Sequence, residues 1–245
     1  MVAFNGFSTT ATPTVNELII DVAIASILKI CIQKFLCVTV FNSAYFQEML
    51  KGAPRWTYLI NVFFQSCCFV PFGLYAFMQY ETLNSFLNCT WETYILPCTR
   101  IYGIMLSSYM ARDILNCLYS TDLILHHTAG ALMTIWAMCQ PCGLELYLAG
   151  VSALEVGSMC NNLAVLANDQ LREKLFFVNN FIFFIGHVIG MYLVFQILIG
   201  DADMSYRYFV FVSTIVIVSL RTNAIYSQYK EGVFPASLGG EKKKK

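Results

Sequence analysis

Charge is what this sequence has least of. Only 12% of its 245 residues are Asp, Glu, Lys or Arg, about half of the ~25% usual in a soluble domain. Neither sign is in surplus, since fifteen basic residues balance fifteen acidic ones. Such a chain is not a soluble enzyme or a disordered segment, and without a basic excess it is not a nucleic-acid reader. An internal repeat is also missing, and residues 1–17 lack the basic start and apolar run of a cleavable leader.

What the chain has is apolar bulk: 58% of its residues are hydrophobic. They gather in runs long enough to cross a bilayer core, which takes about 20 helical residues. Seven such runs read as transmembrane helices, at 18–41, 56–79, 95–119, 123–140, 145–167, 175–199 and 206–227. The first and third are the most interrupted, by Asp21, Lys29 and Lys34 in one and by Arg100, Arg112 and Asp113 in the other. The connections are short, so sequence neighbours are expected to pack as antiparallel hairpins. The fold class expected is therefore all-α, a polytopic bundle over 18–227 with a short segment before it (1–17) and a basic tail after it (228–245).

The few charges sort by side. Residues 1–17 and the connections near 80–94, 141–144 and 200–205 contain no Lys or Arg, whereas Lys51, Arg55, Arg172, Lys174, Lys230 and Lys242 to Lys245 fall on the alternate side. Basic loops stay cytosolic, so the N-terminus is expected in the lumen and the C-terminus in the cytosol. Asn88-Cys89-Thr90 is a glycosylation sequon in a lumenal connection. Lys242 and Lys243 stand four and three residues from the end, as in a dilysine signal read by the retrieval coat of the endoplasmic reticulum. A basic tail of this kind also suits lipid headgroups.

Ten cysteines do not make a disulfide scaffold here. Cys31, Cys37, Cys67, Cys68, Cys117 and Cys160 fall inside the runs, as small apolar fillers. Cys89, Cys98, Cys139 and Cys142 lie toward the lumenal side, where one disulfide among them is an expectation. Cys139 and Cys142 have C-x-x-C spacing but no partner pair, so no metal site is expected.

Ionisable groups inside a membrane cost about 2.5–3.5 kcal/mol each on insertion scales and tend to mark function. At a rise of 1.5 Å per residue, Asp113 lies ~9 Å from the cytosolic end of its helix and His126 and His127 ~5–6 Å from theirs. Asn161, Asn162 and Arg221 come out ~8–9 Å deep, with Lys34 and Asn61 within about a turn of that level. Asp122 reads as the N-cap of the histidine helix, four residues before His126. Glu155 and His187 come out deeper, both ~18 Å from the cytosolic face, where they are expected to pair. A histidine oriented by a carboxylate is a general base or nucleophile. Lys34, Arg112 and Arg221 are candidate ligands for the phosphates of an acyl carrier. Polar side chains also join helices by hydrogen bonds, and Arg112 has the alternative of snorkelling to the interface.

Three segments carry a resemblance: Ser108-Tyr109-Met110-Ala111-Arg112-Asp113-Ile114-Leu115, then Asp122-Leu123-Ile124-Leu125-His126-His127-Thr128, then Leu154-Glu155-Val156-Gly157-Ser158. In this order they resemble the TLC-domain membrane proteins, relatives of the ceramide synthases, over about 56–227. In the synthases the paired histidines lie in the active site, where an acyl group passes from coenzyme A to a sphingoid amine. The resemblance thus implicates His126 and His127, with Asp113 and Asp122 beside them. The synthases continue with a His-Asp and a further Asp, which the stretch Leu146 to Glu155 lacks, so the chain is more similar to the non-synthase branches.

The function expected is in lipid metabolism or lipid homeostasis at the endoplasmic reticulum. It takes the form of acyl transfer from acyl-coenzyme A, a co-substrate and not a bound cofactor, to a lipid amine or hydroxyl. The alternative is a non-catalytic lipid sensor, transporter or cargo escort. A seven-helix receptor or transporter is a third reading, disfavoured by short loops and by the lack of inverted repeats. Membrane lipids are the expected partners, with a homo-oligomer open and no nucleic acid. In sealed microsomes, protease should remove a C-terminal tag and spare an N-terminal one; the reverse pattern would overturn the topology.

Overall fold

In a computed structural model, the described residues are 14–50, 53–78, 97–116, 121–140, 144–167, 169–200 and 203–230. They are helical almost throughout. The exception is a two-residue antiparallel ladder that pairs Met49 with Pro54 and Leu50 with Ala53.

Helix α1 (Val15–Thr39) starts three residues before the expected run because Thr14 and Glu17 form a capping box. Thr14 Oγ1 accepts the Glu17 N–H at 3.3 Å and Glu17 Oε2 accepts the Thr14 N–H at 2.8 Å, which satisfies two orphan donors reciprocally. After a single turn, α2 (Ala44–Gln47), comes a continuous rod. Its parts are α3 (Arg55–Phe64), a π-helical turn (Gln65–Phe69) and α4 (Val70–Met78). The remaining helices are α5 (Pro97–Asn116), α6 (Thr121–Met138), α7 (Leu144–Leu166), α8 (Asp169–Ile199) and α9 (Met204–Lys230). Helix α6 begins at Thr121, so Asp122 lies in its first turn and is not the N-cap.

A helix thus stands at each of the expected runs. Among the described residues, three stretches, Arg55–Tyr75, Val178–Ile199 and Met204–Asn223, are long and apolar enough to cross a membrane. The outer surface agrees. Ile20, Ile24, Ile27, Leu28 and Phe35 on α1 and Phe181, Phe184, Val188 and Phe195 on α8 are all at least half exposed. Apolar surface on that scale belongs in lipid, not in water. This is an all-α membrane protein.

Packing runs in a circuit. The rod packs on α7, α7 on α8, α8 on α9, α9 on α6, α6 on α5, and α5 returns to the rod. Helix α7 also touches α5 and α6 across the circuit, and α1 lies outside it, mainly against α5. The apolar core fills one end, where α6 finishes and α7 begins: Tyr102, Leu106, Met133, Met138, Leu144, Leu148, Leu193, Ile197, Tyr206 and Val210. Polar side chains collect toward the opposite end, where α5 finishes and α6 begins.

The most extensive interface is that of α7 with α8. It closes through Gly186 and Gly190, a G-x-x-x-G pair that lets two backbones approach. A Cβ on Gly186 would stand 2.5 Å from the Ala153 carbonyl oxygen, whereas one on Gly150 would meet only ordinary contacts, the nearest at 3.7 Å. Gly186→Ala is therefore expected to destabilise by about 1–3 kcal/mol through overpacking. Gly150→Ala is expected to be neutral or stabilising, by up to ~1 kcal/mol of helix propensity. Melting curves of the purified variants in one detergent check the order; equal melting temperatures would show that α8 does not approach α7 so closely.

Candidate functional site

Every member of the circuit contributes a polar side chain to its interior. The rod presents Thr57, Asn61 and Gln65, spaced by four and so on one face; all three are buried. Helix α5 supplies Arg112 and Asp113, α6 His126 and His127, α7 Glu155, Ser158 and Asn162, α8 His187, and α9 Arg221.

The first cluster centres on Asp113, which is 0% exposed. Its Oδ1 accepts from Arg112 Nε at 2.8 Å and also from Arg112 Nη2. Arg112 Nη2 reaches on to Asn61 Oδ1 at 3.1 Å, and the guanidinium lies over the Tyr109 ring at 4.6 Å. On its other side, Asp113 Oδ2 faces His127 Nδ1 at 3.3 Å. Asp113 Oδ2 has no hydrogen-bond partner among the described residues, so this contact acts on the imidazole by charge. The His126 ring is 5.5 Å from that of His127. Among the described residues, His126 Nδ1 is buried without a hydrogen-bond partner.

The second cluster depends on the π-helical turn. Gln65, its first residue, donates through Nε2 to Glu155 Oε2 at 2.8 Å and accepts from Asn162 Nδ2 at 3.0 Å. Phe69, its last, offers its carbonyl to Ser152 Oγ at 3.2 Å; π-turns often occur at functional sites. Ser152 also shares a hydrogen bond of 2.8 Å with the Tyr102 hydroxyl. Across the interior, Arg221 Nη2 donates to Ser158 Oγ and to the Leu154 carbonyl at 3.2 Å, with its guanidinium 5.2 Å from the Phe183 ring. Arg221 is within electrostatic reach of Glu155 and His126, which ties the two clusters together.

Several expectations need correction. Glu155 and His187 form no ion pair: Glu155 is held by Gln65, and His187 Nδ1 lies 2.8 Å from the Phe183 carbonyl on its own helix. A buried amide donor was closer to the carboxylate than the imidazole. Arg112 does not snorkel. It is 2% exposed, and its contacts with Asp113 and Asn61 occupy it, so it is not presented to a carrier phosphate. Lys34 is exposed on α1 and makes no hydrogen bond or ion pair with either cluster. Helix α1 instead turns Lys29 inward, donating to the Met105 carbonyl at 2.5 Å and to Ser108 Oγ at 2.6 Å. The spacing showed it: Leu18, Val22, Ser26, Lys29 and Gln33 make one helical stripe, and Lys34 falls off it. Cys139 is a free thiol. Asn88, Cys89, Cys142, Lys242 and Lys243 lie outside the described residues, as do the side chains of Cys98 and Asp122. The signals for Gln65 and Ser158, both unexpected, were equally periodic: Gln65 completes the rod's polar stripe, and Ser158 lies between Glu155 and Asn162 on one face of α7.

Compared with protein-family models, with curated proteins and with solved structures, the chain matches none.

Removing one partner of a buried ion pair costs about 3–5 kcal/mol, while replacing both by apolar groups is often near neutral. Asp113→Ala should therefore lower the melting temperature sharply, and Arg112→Met combined with Asp113→Leu should restore much of it. A double variant no more stable than Asp113→Ala would show that the two do not act as a pair.

Proposed function

We propose that the protein is a multi-pass membrane protein of the endoplasmic reticulum that acts in lipid metabolism, transferring an acyl group from acyl-coenzyme A to a lipid amine or hydroxyl. All seven helical runs cross the membrane in this reading, with the N-terminus lumenal and the C-terminus cytosolic. Lys242 and Lys243 provide the retrieval signal. The motif resemblance to TLC-domain proteins supports it, as does the sorting of basic residues to one side.

The observation that carries the reading is the buried Asp113–His127 contact with His126 beside it. His127 Nε2 takes the proton of the acceptor as that group attacks the thioester carbonyl, Asp113 stabilises the imidazolium that forms, and the imidazolium returns the proton to the coenzyme A thiolate as the C–S bond breaks. His126 is the alternative base. Arg221 is the cation left for the thioester oxygen or the carrier, because among the described residues only its Nη2 is engaged. Arg112 acts one step back, holding Asp113 in place. Asp122 adds negative charge at the start of the histidine helix.

One observation favours a second reading, a non-catalytic lipid sensor, transporter or escort. Arg112 neutralises the carboxylate that would assist His127, as suits a layer kept for packing or binding. Lipid profiles of cells lacking the protein, complemented with wild type, His126→Ala or His127→Ala, separate the two. Loss of a general base is expected to lower formation of the affected lipid by about 10²–10⁴-fold. Full complementation by both variants at wild-type expression would remove catalysis through these residues.

A further inference from the structure

Arg221 stands inside the bundle without a counter-charge. It is half-buried and falls within the apolar stretch Met204–Asn223. Among the described residues no Asp or Glu lies at ion-pair distance from it. Its Nη2 donates to Ser158 Oγ and, at 3.2 Å, to the Leu154 carbonyl, while Nε and Nη1 engage no partner among those residues. The neutral acceptors of α7 thus fix the guanidinium in place and leave its charge unmatched, which is costly away from water.

An unused acceptor stands beside it. His187, within Val178–Ile199, has its Nδ1 2.8 Å from the Phe183 carbonyl. A carbonyl only accepts, so the proton is on Nδ1 and the lone pair on Nε2. Nε2 is buried and has no hydrogen-bond partner among the described residues. Phe183 connects the two groups: its ring is 4.2 Å from the imidazole and 5.2 Å from the guanidinium. The ring is seated on α7, since a Cβ on Gly157 would stand 3.0 Å from Phe183 Cα and 3.1 Å from its Cδ2. A charged donor and a bare acceptor therefore lie against one fixed ring, where α7, α8 and α9 come together.

The group that satisfies both brings one negative charge and one proton to share. A carboxyl group does so: one oxygen accepts from Arg221, and a proton between the other oxygen and His187 Nε2 makes a hydrogen bond whichever side holds it. A phosphate monoester, at about −1.5 to −2 near neutrality, exceeds the single charge of Arg221, and a phosphodiester has no proton for the imidazole. Toward the apolar core the same helix faces lose their polarity. Val194 follows His187 by two turns on α8, Ile217 precedes Arg221 by one turn on α9, and both pack against the core. The site thus continues as a lining for a hydrocarbon chain.

We propose that Arg221 and His187 form the head site for the carboxyl group of an unesterified long-chain fatty acid. The assignment rests on the proposed acyl transfer only in one respect, that the acid then competes with the thioester for Arg221 and so restrains the reaction.

The test is saturable binding to the purified full-length protein in detergent, with hexadecanoate, hexadecanol, methyl hexadecanoate and hexadecyl phosphate as probes. Hexadecanoate is expected to bind at least about tenfold more tightly than the alcohol and the ester, as one charge-assisted contact gives, and more tightly than the phosphate. Arg221→Gln should bring its preference over the ester below about threefold. His187→Phe, which keeps a ring against Phe183, should weaken the acid and leave the ester unchanged. The wild-type ranking needs no variant, so it decides the matter even where the variants do not fold. Equal binding of acid, alcohol and ester, no saturable binding of the acid, or an undiminished preference in a folded Arg221→Gln would each overturn the assignment, as would tighter binding of the phosphate. Binding requires no turnover. If both His126→Ala and His127→Ala complement fully while the preference for the acid stands, the acyl-transfer reading fails alone and the carboxyl site remains.

Discussion

A carboxylate taken into a membrane bundle costs several kcal/mol unless it is paired and hydrogen-bonded, and the packing around Asp113 is arranged so that it is both. Arg112 engages one oxygen and His127 faces the other, while Asn61 of the rod takes up a further N–H of Arg112. Three elements are thereby fixed relative to one another through one buried charge. Helix α1 is added from outside by the same logic, through Lys29 on the Met105 carbonyl and Ser108. The ordering of this end of the bundle depends on that pair, because the apolar core is concentrated at the other end.

The same pair limits the chemistry. An Asp shared between Arg and His is a weaker partner for an imidazolium than one reserved for it, since the guanidinium already offsets its charge. Much of the histidines' environment then comes from Arg221 of α9, which acts on both, and from His187 of α8. The interior therefore has two poles: one a closed Arg–Asp–Asn knot, the other an Arg and a Glu each with hydrogen-bonding capacity left over. Hydrogen bonding unused inside a bundle is expensive, and a ligand is the natural way to use it.

Much of this was legible in the sequence because membrane helices are set by long apolar runs, and the runs at 56–79, 145–167 and 206–227 match helices to within a few residues. The meeting of Asp113 with His127 was also legible, since depth along two antiparallel helices is a one-dimensional quantity. Rotation about the helix axis was not. Lys34 and Lys29 have equivalent chemistry on paper, and only the stripe through Val22, Ser26 and Gln33 turns one inward and the other out. Glu155 and His187 share a depth but not a direction: Gln65, on the rod's stripe with Thr57 and Asn61, reaches Glu155, and His187 turns to the Phe183 carbonyl of its own helix.

Segregation of the core to one end has a consequence for access. The end where α6 finishes and α7 begins is filled by Tyr102, Met138, Leu148 and Tyr206, each 4% exposed or less, and Thr134 and Glu145 are buried toward it as well. His126, His127 and Arg221, nearer the other end, retain partial exposure. A ligand with a polar head and an apolar chain can satisfy both halves only one way round, its head against the polar layer and its chain toward the apolar core or out between helices into lipid. The scarcity of charge and its placement are thus linked: Arg112 and Asp113 are buried with the histidines toward the end where α5 finishes, while Glu145 is buried at the other, in the first turn of α7.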